Sequence, residues 1–375
     1  MNFNLSEQEK IIQTTAREFA QRRVLPQAAE IDRKGEFPLE LAREIGQMGY
    51  YGLPYPPEYG GCGAGYVAYA LVIEQLCQAS MTVGATVAVS ILPAECLFRF
   101  GTEQQKQKYL VALTTNKAFG CFAFTEPATG SDPRAITTKA RLEGDEYVLE
   151  GQKNFISLAP VASLAVVFAK DETGRVSAFV VDISTPGFTV REPCETLGLR
   201  GLDTSVVYLD GLRLPKENLL GEKGKGYDLL LEAISMERIG VAAQGVGVAQ
   251  AALDLSISYA QKRTAYGRPI AEMPTIHWLI AEMASRVEAG RWLTYRTAFL
   301  RDQGEDVKKD SATAKLFCSQ MAVEVTRMAM QVHGAYGTMK TLPVERLYRD
   351  AKMTEVYVGV SEIQRAIIAN YLLRQ

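Results

Sequence analysis

The chain is 375 residues long, more than one ordinary core holds, so two or three domains are expected. Its 41 basic and 43 acidic residues are scattered, and the net charge of −2 speaks against a nucleic-acid or anionic-membrane partner. Six cysteines without a CxxC pair and two distant histidines, His277 and His333, speak against a disulfide framework and a zinc centre and fit a reducing compartment.

The N-terminal stretch MNFNLSEQEK has neither the apolar region of a signal peptide nor an Arg-rich transit pattern, so a cytoplasmic protein is expected. Residues 5 to about 115 read as helices. Ser6 and Glu9 have capping-box spacing ahead of Ile11, Ile12, Ala16, Phe19 and Ala20. A Pro- and Gly-rich loop, 53–66, interrupts, and helical pattern resumes over 67–89 and 102–113. Near 117 the pattern changes to strands. Residues 141–152 form two short runs about a Gly-Asp turn, 164–183 repeat this about Glu-Thr-Gly, and 187–192 and 206–214 follow. From about 225 helices return, with breaks at 266–274, 303–306 and 334–343.

The helical segment 229–253, LLLEAISMERIGVAAQGVGVAQAAL, is apolar on nearly every face and therefore buried. Charges at 232, 237 and 238 exclude a membrane span, which needs about 20 largely uncharged residues. Glu237 lies one turn from Ala233, Ile234, Gly240 and Val241. A carboxylate in such company either has a cationic partner or has a chemical task, and the residues alone leave both open.

Loops at the junctions carry polar groups suited to a ligand. FAFTEPATGSDP, 122–133, offers hydroxyls at Thr125, Thr129 and Ser131 and freed backbone N–H groups at Gly130; an ordinary Asx turn at Asp132 is the alternative. GQKNFISLA, 151–159, places Phe155 and Ser157 at a polar-to-apolar transition. QKRTAYGRPI, 261–270, ends a helix in a basic turn, and glycines 334 and 337 allow close backbone approach.

TEPATGSD, SMER, QKRTAYGRP, QVHGAYGT with PVERLYRDAKM, and YVGVSEIQ occur together and in this order. With them the chain resembles the acyl-CoA dehydrogenase family over essentially its full length. The resemblance implies an α+β multidomain fold: an N-terminal α-helical domain over 1–116, a middle β-barrel over 117–222 and a C-terminal four-helix bundle over 223–375. It also implies FAD, an acyl-CoA substrate, electron transfer flavoprotein as acceptor and a homotetramer built as a dimer of dimers. Position by position, it assigns Phe122, Ala123, Phe124, Thr125, Gly130 and Ser131 to the flavin loop, with Ser131 shared with the CoA portion. Phe155, Ile156 and Ser157 cover the ring. Arg263 reaches the pyrophosphate across a subunit interface, Gln331, Val332, His333, Gly334 and Ala335 receive the adenine half, and Val360, Ser361 and Glu362 lie beside the flavin. Ser235 and Arg238 border the substrate, as do Val358 and Gly359, and the Val358 N–H is the backbone donor to the thioester carbonyl.

One departure matters most. Position 358, where most of the family carries the catalytic glutamate, is valine, which cannot accept a proton; Val360 replaces a common threonine. A minority of relatives, isovaleryl- and long-chain-type enzymes among them, carry the base on the buried helix directly before the arginine, which is Glu237 here. A carboxyl in apolar surroundings has a pKa raised toward neutrality, as a general base requires. Glu355 and Glu362 are nearby alternatives with structural roles favoured. Smaller departures fall at Pro274, Ser235 and Thr341. Gly84, standing where glutaryl-CoA relatives have an arginine, disfavours a dicarboxylic substrate. The reading is an acyl-CoA dehydrogenase for a short, branched or cyclic acyl group. An oxygen-using acyl-CoA oxidase on the same fold is the alternative, and a non-catalytic FAD- or acyl-CoA-binding protein is a third possibility.

Overall fold

In the computed structural model, which describes residues 4–373, the first helix starts from the expected capping box. Ser6 Oγ accepts from the Glu9 N–H at 3.2 Å and the Glu9 carboxylate accepts from the Ser6 N–H at 2.6 Å. The outermost residues of the expected terminal domains, 1–3 and 374–375, lie outside the described residues. Helices α1 (Glu7–Phe19), α2 (Ala28–Lys34) and α3 (Leu39–Gln47) precede the Pro- and Gly-rich loop. The helix expected over 67–89 is two helices, α4 (Gly65–Ala79) and α5 (Met81–Phe100), broken where the Ser80 backbone turns extended (φ −153°, ψ 118°). Gly84 lets α5 cross α4 closely, since a Cβ there would stand 2.2 Å from Cys77 Sγ. By length and composition α5 could cross a membrane, yet most of it is buried inside the fold. The short helices α6 (Glu103–Gln105) and α7 (Val111–Thr114) flank a wider π turn and complete this region.

Next comes an eight-stranded sheet: β1 (Gly120–Ala123), β2 (Lys139–Glu143), β3 (Glu146–Ser157), β4 (Leu164–Lys170), β5 (Val176–Asp182), β6 (Phe188–Val190), β7 (Thr204–Pro215) and β8 (Leu219–Leu220). The strand order is β6-β7-β3-β2-β4-β5-β8, with β1 added parallel to β4. The two expected turns are hairpins: β2 pairs antiparallel with β3, and β4 with β5. Alternation along β4 sorts side chains by face. Val167 and Ala169 join the sheet's own core with Phe179, Leu149 and Leu212, whereas Val166 and Phe168 join the helical core. The expected barrel is a sheet around its own core whose edge strands β6 and β8 do not pair.

The remainder is helical: α8 (Gly226–Lys262), α9 (Pro274–Asp302), α10 (Lys308–His333), α11 (Val344–Thr354) and α12 (Ser361–Leu373). A two-stranded turn, β9 (Thr264–Ala265) with β10 (Arg268–Pro269), links α8 to α9. The 37-residue α8 is the axis of the molecule and packs against α4, α5 and α10. Glycines set those approaches. A Cβ at Gly247 would lie 2.5 Å from the Glu74 carbonyl of α4, and one at Gly245 would lie 2.7 Å from the Cys318 carbonyl of α10. Both helices therefore run against the α8 backbone, on roughly opposite faces and two to three turns beyond Glu237.

Candidate active site

Buried polar atoms without a hydrogen bond usually mark strain or a binding task, because each costs about 1–3 kcal/mol. Eleven such side-chain atoms occur among the described residues, and six belong to Glu237, Arg238, Gln244, Ser361 and Gln364. These residues face the loop 355–360 from α8 and α12.

Glu237 is fully buried and neither carboxylate oxygen has a hydrogen-bond partner among the described residues. No cation lies within ion-pair distance of it among the described residues, so the structural ion pair that the residues left open is not formed. Burial pushes its carboxyl well above the usual carboxylate range, and the nearby Tyr69 hydroxyl offsets only part of that rise. Tyr69 donates instead to the Ala88 carbonyl at 3.3 Å. It reaches the Glu237 turn because Gly240 has no side chain; a Cβ there would meet the Tyr69 hydroxyl at 2.5 Å.

Arg238 is buried too, has no carboxylate partner among the described residues, and is pulled down to about 10 by burial. Seven residues on, and so on the Glu237 face, Gln244 Oε1 accepts from the Tyr357 hydroxyl at 2.5 Å, leaving its Nε2 a free buried donor. Tyr357 leads into Val358, which sits in the left-handed region (φ +57°) ahead of Gly359 (φ +88°). The Val358 N–H has no protein acceptor among the described residues. Ser235 is buried with its Oγ bonded back to the Leu231 carbonyl at 2.7 Å. The alternative carboxylates are both cation-paired: Glu355 with Lys352 at 2.6 Å, and exposed Glu362 with Arg365 at 3.7 Å.

Across from α8, the 122–131 loop follows β1. Phe122 and Phe124 both pack against Phe168, tilted and edge-on, with centroids 4.9 and 6.0 Å apart, and Ala123 faces the sheet core, so backbone and hydroxyl groups are what this stretch offers a ligand. Thr125 is tied to β3 by its carbonyl, which accepts from the Asn154 N–H at 2.7 Å. Glu126 Oε1 takes the Lys153 ammonium at 2.8 Å, and the same carboxylate takes the hydroxyls and amides of Thr137 and Thr138, which fixes the loop. Thr129 Oγ1 is buried without a partner, Gly130 borders open space, and Ser131 is exposed. The Asx turn at Asp132 is present, its Oδ1 accepting from the Arg134 N–H at 3.0 Å. On β3, Phe155 is 65% exposed at φ +60°, Ile156 is core, and Ser157 Oγ shares a hydrogen bond with Thr204 Oγ1 at 3.3 Å. A large aromatic held outward by a left-handed backbone, with an unpartnered hydroxyl in the 122–131 loop, fits a flat, many-acceptor group such as a flavin. Ser361, buried and unpartnered, and half-buried Val360 complete that side, with exposed Glu362 beyond them.

The remaining assigned residues gather elsewhere. Arg263 ends α8 with its guanidinium 5.8 Å from the Tyr336 ring, and the His333 ring lies 4.3 Å from that of Tyr259. Val332 and His333 are buried; Gln331, Gly334 and Ala335 are exposed beside them. At about 1.5 Å per residue, this end of α8 stands roughly 39 Å from Glu237. One protomer's Arg263 and Glu237 cannot serve the same bound cofactor. Sequence reasoning missed Tyr69, Gln244, Lys315, Gln364 and the Glu126–Lys153 pair. Only the carboxylate in TEPATG could have drawn notice; Lys315 reads like any other lysine of a helix that carries several charges. No cluster of three or more metal-ligating side chains occurs among the described residues.

Models of the N-terminal, middle and C-terminal domains of acyl-CoA dehydrogenases match residues 6–117, 121–212 and 224–373. The mitochondrial short-chain specific acyl-CoA dehydrogenase of Mus musculus is 40% identical over 375 residues, covering 99% of this chain and 91% of the relative. An acryloyl-CoA reductase (NADH) of Anaerotignum propionicum is 38% identical over 100% of this chain and 97% of its own. Among solved structures, a chain from work on the electron transferring flavoprotein of Acidaminococcus fermentans superposes with a TM-score of 0.98 at 36% identity, covering 100% of both chains.

Proposed function

Since the chain belongs to the acyl-CoA dehydrogenase family, FAD-dependent oxidoreductases, we propose that it dehydrogenates a short, branched or cyclic acyl-CoA to the 2-enoyl-CoA with Glu237 as the base. The observation that carries this reading is the buried Glu237 carboxyl with no partner on either oxygen, facing a loop whose usual base position is Val358. FAD, when bound, supplies the acceptor for the β-hydrogen. Thr125, Gly130, Ser131, Phe155 and Ser157 would hold its ring side, and Ser361 would lie beside it.

The chain's own residues do the rest. Ionised Glu237 takes the α-proton. The Val358 N–H, free of any protein acceptor among the described residues, binds the thioester carbonyl and stabilises the charge that develops there. Apolar walls from α4, α5 and α8 exclude water, which keeps the carboxylate basic. Arg263 and residues 331–335 of a second copy would hold the distal half of the cofactor, because the same copy's Arg263 is too far away. A homotetramer satisfies that need. The short-chain relative supports a small acyl group, and Gly84 supports a non-dicarboxylic one, since any side chain there would strike Cys77. The structural neighbour from electron transferring flavoprotein work supports that flavoprotein as the electron acceptor.

Anaerobic mixing with a panel of acyl-CoA thioesters tests the reading. A short or branched thioester should bleach the flavin fastest, and Glu237→Gln should abolish the bleaching; bleaching at the wild-type rate would sink the base assignment. A second reading, enoyl-CoA reduction at the same site, is favoured by the acryloyl-CoA reductase relative. There the raised Glu237 pKa suits a proton donor. Faster turnover of an enoyl-CoA by the reduced enzyme than of its saturated partner by the oxidised enzyme would select it.

A further inference from the structure

Residues 355–360 join α11 to α12 and hold a conformation that their sequence resists. A β-branched residue at positive φ costs about 1–3 kcal/mol and persists only when its surroundings hold it. Val358 at φ +57° is such a residue. Two side chains from different helices hold it there. Lys315 of α10, fully buried, donates from Nζ to the Gly359 carbonyl at 2.7 Å and more weakly to the Glu355 carbonyl at 3.4 Å. Gln364 of α12, also fully buried, donates from Nε2 to the Gly359 carbonyl at 2.8 Å and the Val358 carbonyl at 3.2 Å. These donations fix which end of the Gln364 amide faces the loop, leaving its Oε1 unpartnered.

Lys315 is a costly choice for a purely structural contact. It makes no ion pair among the described residues, and burial and then the Arg238 guanidinium pull its pKa down to about 7, an effect that the Glu355 and Glu362 carboxylates offset only in part. A neutral residue would fill the space at lower cost. What an amine adds is N–H donors aimed at carbonyls, and it keeps donors whether charged or neutral.

We propose that Lys315 and Gln364 are positioning residues that pin the carbonyls of the 355–360 loop so that Val358 stays left-handed and presents its N–H to the thioester carbonyl. The proposal rests on the reading above, in which the Val358 N–H is that donor. It also explains why the loop can lose its usual acidic side chain and keep its shape: the pins act on main-chain atoms.

The test compares an acyl-CoA thioester with the matching thioether, which lacks the carbonyl, by titrating each into the FAD-loaded enzyme and following the visible flavin spectrum. The wild type should bind the thioester more tightly. In Lys315→Met that preference should fall by about tenfold or more, with thioether affinity and flavin content unchanged and kcat lowered more than KM is raised. A Lys315→Met enzyme that retains flavin and the full preference overturns the proposal. A wild type with no preference overturns instead the reading on which it rests. Should Lys315→Met not fold, Gln364→Leu reads the same quantity, and an undiminished preference there overturns the proposal equally.

Discussion

Two buried carboxylates in this chain are treated in opposite ways. Glu126, in the loop after β1, is surrounded by donors: the Lys153 ammonium, two hydroxyls and two backbone amides. Burial alone would raise its pKa, but Lys153 and these hydrogen bonds outweigh it and hold the group at about 2. Glu237, on α8, is equally buried and accepts no hydrogen bond among the described residues. Its pKa goes the other way. The fold has the means to satisfy a buried carboxylate and does so at 126. Withholding those means at 237 leaves a group whose proton affinity is free to be used, and that difference separates a structural acid from the base proposed above.

Replacing each carboxylate by its amide should break the symmetry of that comparison. Glu237→Gln should lower the rate of thioester-driven flavin reduction by about 10²–10⁴-fold, the usual share of a general base, while thermal unfolding at neutral pH shows no loss of stability. Glu126→Gln should do the reverse. It strands the Lys153 ammonium in the interior and should cost about 3–5 kcal/mol, read as a lower unfolding midpoint, with flavin lost as the loop loosens. Lys153→Met combined with Glu126→Gln should recover part of that loss, since the stranded charge is then gone. A Glu126→Gln protein as stable as wild type would erase the distinction.

How much of this contrast was visible in the sequence can be said residue by residue. Burial of α8 was legible because its apolar run has no polar face, and the hairpins were legible from Gly-Asp and Glu-Thr-Gly turns. The break at Ser80 was not. Nothing local distinguishes that serine from one inside a helix, and the close approach permitted by Gly84 opposite Cys77 is a tertiary fact. Glu237 stood out because valine occupies 358 and because its neighbours are apolar, but its lack of a partner is a statement about α4, α10 and α12. Likewise Lys315 looked like any helical lysine until its Nζ was seen against two loop carbonyls from 40 residues or more along the chain. Spacing shows which residues share a face; it is silent on what the face meets.

The same contrast fixes two opposite slopes against pH. Glu126 has a folded pKa near 2, below its unfolded value of about 4.3. Its stabilisation is complete above that unfolded value and is lost as pH falls toward 2. Glu237 has a folded pKa raised well above the same unfolded value. Its protonated form is stabilising below about 4.3, and that contribution is lost as pH rises through the folded pKa. With Glu237 as the proposed base, catalysis runs against stability here, because only the ionised carboxylate can take the α-proton. The rate of dehydrogenation should therefore rise with pH through a value above the ordinary carboxylate range and then level. Denaturant unfolding of wild type and Glu237→Gln across pH should show their stabilities diverging over that same interval in favour of the amide. Parallel curves would mean that Glu237 ionises without penalty.

Tyr69 offers the finest adjustment of the comparison. Among the described residues its hydroxyl is the one group that offsets the effect of burial on Glu237, and in the structure it donates to the Ala88 carbonyl. Compared with the full set of donors at Glu126, this is a single weak influence. Tyr69→Phe removes it and keeps the ring, so packing is preserved. The carboxyl should then be harder to ionise, and the rising limb of the rate profile should move to higher pH. At a fixed pH on that limb, dehydrogenation should slow by a few-fold, while the plateau rate stays within about twofold of wild type. A plateau lowered as far as the limb would mean instead that the hydroxyl contacts the substrate. A limb that does not move would show that the pKa of Glu237 is set by burial alone.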